Sequence, residues 1–344
     1  MMRKRCVILG ILLFCILVCL PTDSVATEYF SADLTECLNT ITAHIYNDRF
    51  DKAEHIIDSL YASRCCRPFD FLAYSILYQS VMMANESDSL EAEFFASLDS
   101  VQVYAEGMLA EGRDSVLAYY LLGHQFAFRS LYAGRAGHTW SAIKKGLKAR
   151  NAYSKGFELD STFFDIALGL GSYRYWKSVK TNAVNWTPLF KNEKGNGIEL
   201  LRRAADSSEI SRDAAQTSLI WVYINEKRYT EAIRLADEMR RRYPHGLTFL
   251  WALGEAYYQL GDCDQALLIY TNIYARLQNN PGNYYNIIEA AWYQAKCYRR
   301  HYKDDESRRE EACELYEAIL TLPIPEETAK RQKDKLKDIK KACQ

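Results

Sequence analysis

Hydrophobic and small residues recur with the same spacing in two successive stretches between residues 213 and 280. In the second stretch these residues are Leu250, Leu253, Gly254, Tyr257, Ala266, Tyr270 and Ile273. In the first stretch the matching residues are Gln216, Leu219, Ile220, Tyr223, Ala232, Ala236 and Met239. Apolar side chains at i, i+3, i+4 and i+7 share one face of a helix. Each stretch therefore predicts two amphipathic helices, and Gly261 marks the turn between them in the second copy.

Small residues occur where the two helices of each stretch would cross. Gly254 and Ala266 leave room for a close approach, and Ala266 lies 34 residues after its counterpart Ala232. This order of large and small positions resembles the tetratricopeptide repeat (TPR), a helix–turn–helix unit of about 34 residues. The resemblance implies an all-α fold, a right-handed α-solenoid of antiparallel helix pairs with a concave groove lined by the first helices. It also implies protein or peptide binding as the common role.

The repeat is interrupted in the middle of the chain, over residues 115–212. Gly123 and Gly171 hold equivalent positions but lie 48 rather than 34 residues apart, because the second helix of each pair comes late. We expect the first insertion, around residues 131–146, to lengthen both helices of its pair. The second insertion, around residues 180–195, has no helical period, so we expect a loop.

The two ends of the helical domain, which is expected over residues 27–344, are less regular. Degenerate repeats over 27–114 predict helices at 31–46, 51–62, 69–83 and 89–110. Residues 281–344 repeat the helix pair once more before two prolines end it. The last stretch, 326–341, starts acidic and ends in lysines, which suits the helix dipole. We expect it to be the polar capping helix that a solenoid needs.

Residues 1–26 have the layout of a secretory signal peptide. Basic residues at 3–5 precede an apolar run over 6–20, and Ala26 is the expected cleavage site. The run is shorter than the ~20 residues that span a bilayer. We therefore expect an exported protein, periplasmic or secreted, with an uncleaved membrane anchor as the alternative. Because valine precedes Cys19, no lipid anchor is expected.

Charge is distributed unevenly along the chain. Residues 27–114 contain 16 acidic and 5 basic side chains, whereas residues 115–212 contain 15 basic and 7 acidic ones. Either the acidic part folds against the basic part, or the basic part forms a groove that attracts an acidic partner. Nucleic acid is not expected as a partner of an exported protein.

Aromatic and basic side chains concentrate in the middle repeats, and Tyr, Trp and Arg often dominate the energy of an interface. The candidate binding residues are Arg135, Trp140, Lys144, Lys145, Lys148, Arg174, Trp176, Lys177 and Trp186. The leading hypothesis is a scaffold that holds a protein or peptide partner. The lysines would favour a partner that is acidic. The alternative is a carbohydrate or small-ligand binding module, because the chain has 25 tyrosines and aromatic rings stack on sugars. Aromatic residues at helical spacing also occur in helix cores.

Enzyme motifs and metal-binding patterns are not found in the sequence. It has no phosphate-binding Gly-Lys-Ser/Thr loop, no His-Glu-x-x-His helix and no nucleophile elbow. A third hypothesis, a solenoid enzyme with a separate catalytic domain, leaves no stretch for that domain. We therefore expect neither catalysis nor a cofactor. Seven cysteines follow Ala26, and the disulfide we favour joins Cys297 to Cys313, in the two helices of one predicted repeat.

Overall fold

The computed structural model describes residues 29–64, 66–181, 192–280, 282–302 and 304–343. The sixteen helices within these ranges are α1 (Ala32–Tyr46), α2 (Phe50–Ser63), α3 (Phe69–Asn85), α4 (Glu91–Ala110), α5 (Ser115–Arg135), α6 (Thr139–Leu159), α7 (Asp165–Lys180), α8 (Lys194–Ser207), α9 (Arg212–Asn225), α10 (Tyr229–Arg242), α11 (Thr248–Leu260), α12 (Cys263–Gln278), α13 (Tyr284–His301), α14 (Glu306–Leu320), α15 (Glu326–Arg331) and α16 (Lys333–Cys343). Every regular element of the described residues is thus helical, which confirms the all-α prediction there. The proposed signal peptide lies outside them.

Helices that follow one another in the chain pack against each other from α1 to α14. Alternate helices also touch at α1–α3, α5–α7, α7–α9 and α9–α11, so one pair packs against the next. This arrangement follows from the amphipathic pattern, because a helix pair leaves apolar surface that a neighbouring pair covers. Contacts between Cα atoms divide the chain into two compact units, Met1–Ser31 and Ala32–Gln344. All these helices belong to the second unit. None of the helices in the described ranges has both the length and the apolar character needed to cross a bilayer.

The pair α11–α12 shows how the sequence pattern produces the repeat. Gly261 ends α11 with a φ of 94°, a conformation that glycine adopts without strain. The side chain of Asp262 then accepts a hydrogen bond from the Gln265 backbone N–H at 3.1 Å and caps α12. At the crossing, a Cβ on Gly254 would lie only 2.7 Å from the buried ring of Tyr270. The predicted turn and close crossing are therefore confirmed.

The first insertion lengthens both helices of its pair, as predicted. α5 and α6 each contain 21 residues and are joined by a turn in which Gly137 has a φ of 78°. Near this turn the Ser130 hydroxyl donates to the Ala142 carbonyl at 2.8 Å. The second insertion falls between α7 and α8, and residues 182–191, including Trp186, lie outside the described residues.

The first helices pack against repeats in the second half of the chain, a contact that the periodicity did not predict. Tyr46, the last residue of α1, packs against the rings of Tyr243 and Phe249. The centroid of the Tyr46 ring lies 5.3 Å from the centroid of each of these rings. The Tyr46 hydroxyl accepts a hydrogen bond from the Thr217 hydroxyl at 3.1 Å. The beginning of the helical array is therefore anchored on α9, α11 and the segment between α10 and α11.

Hydrogen bonds extend this contact along the loops between repeats. The Asp48 carboxylate accepts the Leu247 backbone N–H at 2.9 Å. Gly246 permits the close approach, since a Cβ there would lie 1.9 Å from the Tyr46 carbonyl oxygen. Further along, the Asn283 amide donates to a carbonyl in the last turn of α3 at 2.8 Å. The turn after the first helix and the end of the third helix are thus bonded to loops that lie 199 residues later.

Ion pairs connect the acidic first part of the chain to the basic middle. Arg129 pairs with Asp99 at 2.5 Å, and Arg135 pairs with Asp88 and, at 3.9 Å, with Glu86. These contacts agree with the interpretation that the two parts fold against each other. Individual exposed pairs contribute little to stability, typically about 0–1 kcal/mol, but they compensate charge that would otherwise be free to attract a partner.

The predicted disulfide is wrong. Cys313 is bonded to Cys343, and the Cα atoms of the pair are 4.4 Å apart. The reason is that the capping segment forms two helices, α15 and α16, and α16 packs on both α13 and α14. Cys297 is instead buried beside the thiol of Cys263, and burial raises the pKa of the Cys297 thiol.

Asp48 should make the stability of the fold depend on pH. Burial raises the pKa of its carboxyl to about 6, although the Leu247 N–H and the charge of Arg276 act against the shift. The folded-state pKa exceeds the unfolded value of about 4. The contribution of Asp48 to the free energy of unfolding is therefore complete below pH ~4, where its carboxyl is protonated, and is lost as pH rises through ~6. Asparagine keeps an acceptor oxygen, carries no charge and tolerates the positive φ of 55° at this position.

We expect Asp48→Asn to raise the free energy of unfolding at pH 7 by about 1–2 kcal/mol and to leave it nearly unchanged at pH 4. Urea unfolding at the two pH values measures the difference. Glu314→Gln removes an exposed carboxylate from the middle of α14 and is the control, for which we expect no such change. The same gain from Asp48→Asn at both pH values would contradict the prediction.

Candidate ligand groove

An open groove with a volume of about 510 Å³ crosses α7, α9, α11 and α13. Its aromatic lining consists of Trp176, Trp221, Tyr229, Trp251, Tyr270 and Tyr293. Its other lining residues are Ile224, Asn225, Lys227, Glu255 and Gln259. The volume lies within the ~300–1,000 Å³ of typical ligand sites, and aromatic walls with a few polar groups are common in such sites. We call this feature the aromatic groove.

The repeat itself brings these distant residues together. Glu255 follows Trp221 by 34 residues, the length of the repeat, so the two side chains hold equivalent positions on α9 and α11. Residues at equivalent positions of successive stacked helices face the same side. Trp176 extends the row onto α7, and Tyr293 extends it onto α13. The groove therefore combines side chains from four pairs of helices.

Stacked rings form the wall of the aromatic groove next to α12 and α13. The Tyr270 and Tyr293 rings are 4.4 Å apart with an interplanar angle of 9°, and Trp251 lies 5.9 Å from Tyr270. Tyr270 is buried, and its neighbours hold its ring in place. Rigid aromatic rings lose little conformational entropy on binding, so they are efficient contact surfaces for a ligand.

Two polar atoms in the lining of the groove have no hydrogen-bond partner among the described residues, the Tyr270 hydroxyl and Oε2 of Glu255. The other carboxylate oxygen, Oε1 of Glu255, accepts from the Gln259 amide at 2.7 Å. Leaving a buried polar group unsatisfied costs about 1–3 kcal/mol. Both atoms are buried, so a ligand can recover that energy only if the groove opens far enough to expose them.

A lysine lies behind the aromatic wall. The Nζ atom of Lys296 is 4.1 Å from the ring centroids of Tyr258 and Trp292 and 4.5 Å from that of Tyr293. Burial lowers the pKa of Lys296, whereas the carboxylate of Glu255 acts to raise it. The ammonium and the carboxylate thus partly compensate each other, so ring faces and hydrogen bonds, more than net charge, determine what the groove can bind.

A hydrogen-bond network supports the α7 and α9 side of the groove. The buried Tyr175 hydroxyl accepts from the Asn225 amide at 2.6 Å and donates to Glu226 at 2.8 Å. Lys194, the first residue of α8, also donates to Glu226 at 2.8 Å. Trp176 follows Tyr175 in the chain, and their rings are 5.0 Å apart. The network therefore orients the groove residues Asn225 and Trp176.

The predicted binding residues on α7 separate into two kinds. Trp176 lines the aromatic groove. Lys177 pairs with Glu193 at 2.7 Å, and Arg174 is bonded to Asn196 and lies 3.9 Å from Glu193. Like Arg135, which pairs with acidic residues near the start of α4, these cations have carboxylate partners within the chain.

The predicted residues on α6 lie outside the groove lining. Trp140 is 77% exposed, Lys144 and Lys148 are exposed, and Lys145 is half-buried. Lys148 lies 5.2 Å above the Phe126 ring of α5. Among the predicted residues that the structure describes, Trp176 is thus the one that lines the aromatic groove.

Sequence reasoning missed most of the groove. The predicted binding residues belong to the repeats with insertions, whereas Trp221, Trp251 and Tyr293 belong to the first helices of more regular repeats. A signal was available, because these aromatic residues lie beside the apolar stripe of their helices and not in it. Reading the off-stripe face of each repeat would have identified them.

Other reactive side chains outside the groove serve the core. His124 is packed against the rings of Tyr120 and Phe128, and burial lowers the pKa of its imidazole to about 4. Within the described ranges, no group of three or more His, Cys, Asp or Glu side chains is arranged to hold a metal ion.

No protein-family model and no curated protein sequence matches this chain.

Proposed function

We propose that the protein is an exported, non-enzymatic TPR-like scaffold that holds an extended segment of a protein partner in the aromatic groove. In this proposal the helix pairs are antiparallel and form a right-handed solenoid, with the groove on its concave face. The observation that carries the proposal is the row of aromatic side chains that successive repeats contribute to one open groove, together with the polar side chains of Asn225, Glu255 and Gln259.

An extended polypeptide suits this groove for two reasons. Its side chains can contact the ring faces of Trp176, Trp221 and Trp251, residue types that often contribute most of the binding energy at an interface. Its backbone N–H and C=O groups can form hydrogen bonds with the carboxamides of Asn225 and Gln259, which line the groove. The groove carries Lys227 as well as Glu255, so we do not propose that it selects for an acidic segment.

A carbohydrate is the second candidate ligand, favoured by the combination of flat aromatic rings with carboxamide and carboxylate groups. Asn225, Gln259 and Glu255 could bond sugar hydroxyls while a sugar ring stacks on Trp221 or Trp251. The same surface thus fits two classes of ligand, and the two require separate binding measurements.

Selection of peptides from a random library, followed by calorimetry on the best binders, tests the proposal. We expect Trp221→Ala to weaken peptide binding by about 30-fold or more, because alanine substitution at a hot spot costs about 2 kcal/mol or more. Trp221 is 37% exposed, so its removal should leave the fold intact, which circular dichroism can confirm. Trp140→Ala changes a tryptophan outside the groove and is the matched control.

Failure of all library peptides to bind, or equal binding by Trp221→Ala and the unchanged protein, would contradict the peptide proposal. An oligosaccharide array is then the second measurement. Oligosaccharide binding that is lost in Trp221→Ala but kept in Trp140→Ala would assign the groove to carbohydrate recognition.

A further inference from the structure

The outer side of α6 presents an apolar stripe that no described helix covers. Trp140, Ile143 and Leu147 are 77%, 47% and 40% exposed. Spacings of three and four residues place them on one face of the helix. On the opposite face, Ala149 and Tyr153 are buried. Leu131, near the end of α5, is 58% exposed and adds apolar surface beside the same turn.

Basic side chains border this stripe. Lys144 and Lys148 each follow a stripe residue by one position and are exposed. Residues 115–157, which include all of α5 and most of α6, contain seven Lys and Arg residues and neither Asp nor Glu. Arg129 and Arg135 of α5 are paired with carboxylates of the acidic part, so the uncompensated positive charge lies on α6.

We propose that this face of α6 binds peripherally to bilayers that contain anionic phospholipids. Tryptophan favours the boundary between headgroups and acyl chains, and lysines beside an apolar stripe keep their charge among the headgroups while their stems cover apolar surface. Each Lys near an anionic surface adds an attraction that falls off within a Debye length. With three to four apolar side chains, the contact is weak and reversible.

The charge pattern favours a lipid surface over a second copy of this chain. A second copy would present the same lysines, so two α6 faces would repel each other where they meet. An anionic bilayer instead supplies negative charge along the whole helix and an apolar layer directly beneath it. The proposal does not depend on the aromatic groove, because none of the groove-lining residues belongs to α6.

Co-sedimentation of the purified protein with lipid vesicles tests this proposal. We expect binding to vesicles of phosphatidylcholine mixed with phosphatidylglycerol, weaker binding at high salt, and little binding to phosphatidylcholine alone. The triple variant Trp140→Ser, Ile143→Ser, Leu147→Ser should bind at least about tenfold more weakly, and so should Lys144→Glu, Lys145→Glu, Lys148→Glu. Val103→Ser, which changes a side chain that is 68% exposed on α4, should bind like the unchanged protein.

The outcomes that overturn the proposal are distinct. Folded protein that fails to bind anionic vesicles, or a stripe variant that binds them as well as the unchanged protein, excludes this face as a lipid surface. Sedimentation velocity on the same samples tests the other possible occupant of the stripe, a second copy of this chain. If the unchanged protein is a dimer that the stripe variant converts to a monomer while vesicle binding is unaffected, the stripe is a self-association surface.

Discussion

Replacing Tyr46 with alanine should lower the free energy of unfolding by about 2–4 kcal/mol, somewhat less than the ~3–5 kcal/mol typical of a fully buried aromatic side chain, because the residue is half-buried. Its ring packs against Tyr243 and Phe249, and its hydroxyl accepts from Thr217, so one side chain joins α1 to the regular repeats of residues 213–280. Burial of this site also raises the pKa of Tyr46 to about 12.

Urea unfolding measures the loss, and hydrogen exchange shows where it acts. We expect the amides of α1 and those around Phe249 to lose protection together, because each side covers the other. Tyr46→Phe removes only the hydroxyl and should cost about 1 kcal/mol. Tyr61→Ala, at a tyrosine of α2 that is 43% exposed, should cost less than Tyr46→Ala. Loss of protection in α1 alone would show that the contact does not stabilise the later repeats.

Removing the disulfide by Cys343→Ser should lower the free energy of unfolding by about 3–4 kcal/mol, the loop-entropy estimate for cysteines 30 residues apart. The effect should appear first in α16, which packs on α13 and α14 and buries Ile339 and Ala342. Detachment of this helix would expose the end of the helical array to water.

Urea unfolding with and without a reducing agent tests the disulfide. The unchanged protein should lose stability on reduction, whereas Cys343→Ser should not respond further. Thiol alkylation followed by mass spectrometry should label Cys313 in the variant but not in the oxidised, unchanged protein. Alkylation of both Cys313 and Cys343 in protein that was never reduced would contradict the assigned pairing.

The helices could be predicted from the sequence because the information that forms them is local. The spacing of apolar residues, together with Gly261 and the small residue Gly254, predicted α11, α12 and their crossing. The same kind of pattern predicted the long helices α5 and α6, and the first four helices were placed to within two residues. Each of these features depends on side chains within a few turns of one another.

The tertiary structure alone decided which distant faces meet. The anchoring of Tyr46 near Phe249, the pairing of Cys313 with Cys343, and the separation of Trp140 from the groove that contains Trp176 are not encoded in any local period. They depend on how small rotations between successive helix pairs add up along the array. Helical periodicity determines which face of each helix is buried, whereas the summed packing geometry determines which faces, hundreds of residues apart, come into contact.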